Sequence, residues 1–187
     1  IRDRLRSRGL GDVYKRQGPF SSSSPQVLKD YLNDPNTCDK HLFSFYYCSG
    51  SKKGKGYPID KMDYRYFGLH KANTPITARV NATHETLSKF REYKLWLGTF
   101  SDSSHQTADN IEEVETLFIS TYASQLSENV KKTKSSPAYS ICIINLWYKL
   151  DETRWKIKKD EMKIFDDVLI YEKESDTYSV GSLKLVR

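Results

Sequence analysis

The chain has 187 residues, with 30 Lys and Arg against 24 Asp and Glu for a formal net charge of +6, and 13% of its residues are aromatic. That length fits one domain. No apolar run approaches the length of a membrane span, which excludes a helical membrane protein.

The first 17 residues need separate treatment. IRDR at the start and DVYKRQ at 12–17 look like translations, in two frames, of one transposon-end adapter used in sequencing libraries, joined by a short basic spacer. Residues 1–17 are therefore set aside from the fold and function. They hold six basic and two acidic residues, so 30 − 6 = 24 basic against 24 − 2 = 22 acidic leaves +2. A charge so small does not by itself argue for nucleic acid. Cys38, Cys48 and Cys142 lack CxxC or CxxH spacing and lie in or beside apolar runs, which reads as buried reduced thiols. With no charged-then-apolar leader after residue 17, the expectation is a soluble, cytoplasmic protein with no membrane partner. Asn81-Ala82-Thr83 matches a glycosylation acceptor by chance.

In chain order, 18–40 reads as a flexible N-terminal segment with a Ser-rich start and a short helix at Gln26–Leu32, stopped by Asn33-Asp34-Pro35-Asn36. His41–Cys48 is a strand with aromatics on both faces, so its sheet is covered on at least one side. The Gly- and Lys-containing stretch 49–63 is a loop to a neighbouring strand, Tyr64–His70. Gly68 lets the backbone approach whatever lies above it. Thr74 and Pro75 open a helix reaching about Arg91, with Ile76, Val80, Thr83, Leu87 and Phe90 on one face. Tyr93–Phe100 is a third strand. A second helix starts near Asp109 with Glu112 completing a capping box. Ile111, Val114, Phe118 and Tyr122 share one arc of it, and Glu115 falls inside that arc, where a carboxylate needs a partner or a metal. Lys131, Lys132 and Lys134 read as a solvated loop, and His70 and His105 as solvent or loop histidines. Tyr139–Leu150 is a long strand candidate, Arg154–Lys163 is highly charged, and Val168–Tyr171 with Tyr178–Leu185 forms a terminal hairpin around Ser175-Asp176.

On these elements the chain resembles the GIY-YIG nuclease superfamily over about residues 41–130. Ser44-Phe45-Tyr46 stands where that family has Gly-Ile-Tyr, and Tyr66-Phe67-Gly68 where it has Tyr-Ile-Gly. Arg79 falls where the family's first helix carries its arginine, and Glu115 where the second carries the metal-binding glutamate. The His or Tyr one helical turn after the arginine would fall at Thr83, with His84 beside it, and Asn129 matches a late asparagine.

The resemblance implies an α/β domain at 41–135, a small mixed or antiparallel sheet flanked by helices, with a C-terminal strand and hairpin extension at 136–187. It also implies a metal-dependent endonuclease hydrolysing DNA, of a phage or mobile element. Tyr46 and Tyr66 would orient or deprotonate water, Arg79 would bind the scissile phosphate, and Glu115 would hold Mg²⁺ or Mn²⁺. Gly68, Lys71, His84 and Asn129 would line the substrate site. The rival is a binding or interaction module that keeps the fold without cleavage.

Overall fold

Seven strands form one mixed sheet in the order β3-β2-β4-β1-β5-β6-β7. They are β1 (Gly9–Ser21), β2 (Phe43–Lys52), β3 (Tyr64–Lys71), β4 (Phe90–Phe100), β5 (Ser140–Tyr148), β6 (Val168–Glu172) and β7 (Thr177–Gly181), with two α-helices, α1 (Pro25–Asn33) and α2 (Ala108–Thr121), among the described residues. This computed structural model describes residues 9–34, 43–58, 60–71, 74, 76–81 and 83–183. No helix among them is long and apolar enough to cross a membrane. Cys38 lies outside them, while Cys48 and Cys142 are buried free thiols.

Strand β2 shows why both faces of the sheet are covered. Its alternation sends Phe45 and Tyr47 into one apolar cluster and Tyr46 and Cys48 into the other. The first cluster lies under α2, whose Ile111, Val114 and Phe118 are fully buried. The second is closed by Leu32 of α1 and by Ile76, Val80, Leu87 and Phe90. Helix α2 starts two residues earlier than its acidic pattern suggests, because Thr107 is the N-cap and its hydroxyl accepts from the Asn110 N–H at 3.2 Å.

The expected small sheet flanked by helices is overturned by three features. The first is the stretch expected as a helix to Arg91: it forms only 3-10 turns at Ile76–Ala78 and Leu87–Lys89. Asn81 explains the break. Its amide donates to the Thr77 and Ala78 carbonyls at 3.2 and 2.8 Å, and its oxygen accepts from the Thr83 N–H and hydroxyl at 2.9 and 2.7 Å. A side chain that satisfies four neighbouring groups competes with the helical ladder. The apolar residues still turn inward; only the backbone departs. Pro75 lies outside the described residues.

The second feature is the C-terminal part, which continues the sheet. Strand β5 pairs with β6 and β6 with β7, and that last hairpin follows the alternation read from the sequence. The third is β1, which joins the two halves, antiparallel to β4 and parallel to β5 from Gly9↔Ser140 to Gln17↔Tyr148. Residues 9–17, set aside on sequence grounds, thus supply most of the central strand. Tyr14 is fully buried and Arg16 only 1% exposed. The Arg16 guanidinium lies against the rings of Tyr14, Phe67, Phe118, Trp147 and Phe165. Among the described residues the guanidinium has one hydrogen bond, to Asn145 Oδ1 at 3.4 Å, and its Nε–H has no partner.

Candidate functional site

The site gathers at the edge strand β3. Antiparallel pairing sets Tyr46 of β2 opposite Gly68 of β3. The Tyr46 ring lies across that glycine so closely that a Cβ there would stand 2.5 Å from its Cζ. Any larger residue at 68 would move the phenol, which is the physical reason a glycine follows Tyr66-Phe67.

Past Gly68 the Tyr46 hydroxyl meets His84 Nε2 at 2.8 Å. His84 Nδ1 accepts the backbone N–H groups of Thr86 and Leu87, both at 3.1 Å. An Nδ1 that accepts two donors carries no proton, so Nε2–H donates to Tyr46. Burial and the nearby Arg79 lower the His84 pKa, which keeps the ring neutral. The rings of Tyr46, Tyr66 and His84 form a triangle, with centroids 5.9, 5.7 and 5.6 Å apart.

The Tyr46 pKa is raised, chiefly by burial and then by Tyr66, while Arg79 acts in the other direction. Tyr66 is raised as well, first by burial, with Tyr46 and Arg79 lowering it and Glu115 raising it. Both phenols therefore keep their protons at neutral pH. The Arg79 pKa is raised, Tyr46 first among the causes and Tyr66 and Glu115 among the others. Arg79 and Glu115 thus share the electrostatic neighbourhood of Tyr66, although α2 packs on the opposite face of the sheet. Tyr46 is sealed from solvent, Tyr66 is half-buried and Arg79 is exposed. A ligand would meet the last two.

The Glu115 side chain is 14% exposed, and burial raises its pKa while the Lys132 ammonium opposes the rise. Lys132 Nζ lies 3.0 Å from Glu115 Oε2 and 3.3 Å from the Glu112 carbonyl. Lys132 reaches this place from a left-handed backbone, φ 64°. In the sequence it is one of three loop lysines, and nothing local signals that turn. A divalent ion here would have Glu115 as a carboxylate ligand, and no group of three His, Cys, Asp or Glu that could hold a metal occurs among the described residues. Lys132 already neutralises that carboxylate, so an ion there would have to displace its ammonium and take its other oxygens from phosphate and water.

Three of the expected substrate contacts have other partners. Lys71 is paired with Glu112 at the surface. Asn129 accepts from Phe67 N–H at 2.8 Å and donates to its carbonyl at 2.7 Å, so it clamps the free edge of β3. His84 has both ring nitrogens engaged inside the protein and positions Tyr46. His105 is a loop histidine, as expected, with Nδ1 meeting Asp12 Oδ2 at 3.2 Å, whereas His70 is buried in β3 and its Nε2 meets the Thr74 carbonyl at 2.7 Å.

No known family, curated protein or solved structure matches the chain.

Proposed function

We propose that this protein is a phosphodiester hydrolase, a metal-dependent endonuclease acting on DNA through a site that resembles the GIY-YIG nucleases. The observation that carries the reading is the grouping of Tyr46, Tyr66 and His84 beside Gly68, with Arg79 and Glu115 both within electrostatic reach of Tyr66. Arg79, exposed and forked, suits two oxygens of one phosphate. His84 donates to the Tyr46 hydroxyl, which is coupled to that of Tyr66. Tyr66 then presents an oriented, protonated phenol to water or phosphate, so the pair orients rather than abstracts a proton. Glu115 would hold Mg²⁺ or Mn²⁺, which supplies charge relief on the phosphate and a more acidic bound water. The free thiols of Cys48 and Cys142 suit a reducing, cytoplasmic setting.

The second reading is a module that grips phosphate without cleaving it. It is favoured by Lys132, whose ammonium holds the Glu115 carboxylate. The experiment that separates the two compares wild type and Arg79→Lys on plasmid DNA with Mn²⁺ or Mg²⁺, scoring nicking and binding independently. The enzyme reading expects nicking to fall by about a hundredfold or more in the variant with binding kept. Binding without nicking by the wild type, on several DNA substrates and with either ion, would leave only the module.

A further inference from the structure

A second constellation lies away from the β3 edge, where β5 meets the charged stretch 149–167. A cavity of about 340 Å³ opens there, lined by the half-buried Trp155 with Arg154, Lys156, Lys158, Asp166 and Asp167, over the buried rings of Trp147 and Phe165. That volume is within the range of small-molecule sites, which pair aromatic walls with a few placed polar groups.

The charges at the rim are unevenly matched. Lys158 is bound to Asp167 at 2.5 Å and to the Phe165 carbonyl at 2.7 Å. Lys163, also lining the cavity, is bound to Asp160 at 2.7 Å. Asp166 is held by the Tyr122 hydroxyl at 3.1 Å. Arg154 and Lys156 are exposed and have no acidic partner among the described residues. Deeper in, Trp147 is 3% exposed and its Nε1–H has no hydrogen-bond partner. Behind Trp147 sits the Arg16 guanidinium, bound to Asn145, which also lines the cavity. The lining cations, Arg154, Lys156, Lys158 and Lys163, thus outnumber its two carboxylates, Asp166 and Asp167. Lys149 and Lys159, 5.5 and 5.4 Å from the Trp155 ring centroid, add to that excess.

We infer that this cavity binds a nucleoside phosphate, its base against the Trp155 ring and its phosphate on Arg154 and Lys156. The unit arrives either as a free nucleotide or as one residue of a single strand. The inference does not rest on the nuclease reading, because it uses none of Tyr46, Tyr66, Arg79 or Glu115.

The test is a titration of the full chain with AMP and, separately, with a ten-residue oligothymidylate, followed by tryptophan fluorescence and calorimetry. Trp155→Leu removes one wall, and the double variant Arg154→Ala with Lys156→Ala removes the unpaired cations from exposed positions without touching the core. Saturable binding of either probe, weakened about tenfold or more in the double variant, supports the site. An oligomer that binds far more tightly than AMP, with a salt slope about 1.4 smaller in the double variant at ~0.7 per lost contact, identifies a single strand as the source. Equal affinity identifies the free nucleotide. Failure of both probes to bind at millimolar concentration, or unchanged affinity in the double variant, overturns the inference.

Discussion

The Tyr46 ring lies across the backbone of Gly68, its cross-strand neighbour, and a Cβ on that glycine would meet Cζ at 2.5 Å and Oη at 2.6 Å. Tyr46 is fully buried, so its ring has no open space to retreat into. Gly68→Ala should destabilise the fold by about 1–3 kcal/mol through overpacking and pull the hydroxyl off His84. Urea denaturation reads the first effect, and the downfield imidazole N–H resonance of His84 the second. An unchanged midpoint and resonance would mean that the phenol does not depend on this glycine.

Glu115→Gln keeps volume and removes charge. In the nuclease reading it abolishes divalent-dependent nicking. Its effect on stability should be within about 1 kcal/mol, because the lost ion pair with Lys132 is offset by relief of a buried charge. Nicking at the wild-type rate by a folded Glu115→Gln protein would remove the carboxylate from the mechanism.

Lys132 occupies the position that an ion at Glu115 needs, and it does so from φ 64°. Asn tolerates that backbone better than Lys and carries no charge. Lys132→Asn should relieve the backbone but leave the buried Glu115 carboxylate unpaired, so it should destabilise the metal-free fold and tighten Mn²⁺ binding by about tenfold, read by calorimetry. No gain in Mn²⁺ affinity would mean that Lys132 and the ion do not compete.

His84 makes stability depend on pH in a defined direction. Its pKa is lowered from the ordinary 6.5 by burial and Arg79, so the unfolded chain binds more protons in the interval below 6.5. Stability from neutral His84 is fully present above 6.5 and is lost as pH falls through the lowered value. His84→Ala should flatten the slope of unfolding free energy as pH falls below 6.5, measured by chemical denaturation. An equal slope in wild type and variant would place the titration elsewhere.

The central strand gives the most decisive test of the fold. A chain beginning at Gly18 loses the pairing of β1 with both β4 and β5 up to Gln17, so it should fail to fold cooperatively. Arg16, buried among aromatic rings with no carboxylate, has its pKa lowered to about 10 by burial. Arg16→Met should then be neutral or stabilising by up to about 4 kcal/mol, since an apolar side chain of similar length removes a buried, uncompensated charge. A melting temperature unaffected by the truncation would show that residues 9–17 lie outside the fold.

Much of the architecture was legible locally. Alternating aromatic and aliphatic residues marked β2, β3, β4, β5 and the last hairpin, and the helical arc of Ile111, Val114, Phe118 and Tyr122 marked α2 with Glu115 inside it. The types and order of Tyr46, Tyr66, Gly68 and Arg79 were enough to nominate a site. Local pattern could not decide the backbone at 76–90, because the apolar spacing of Ile76, Val80, Leu87 and Phe90 suits a helix and a pair of turns equally, and the Asn81 side chain tips the balance to turns. It could not place residues 9–17 either: a strand's position in a sheet depends on which neighbouring edges are free to pair, and the edges of β4 and β5 come from far along the chain. Nor could it find the partner of Glu115. That ion pair forms through a left-handed turn at Lys132, 17 positions further on (132 − 115), and only the folded backbone brings the ammonium to the carboxylate.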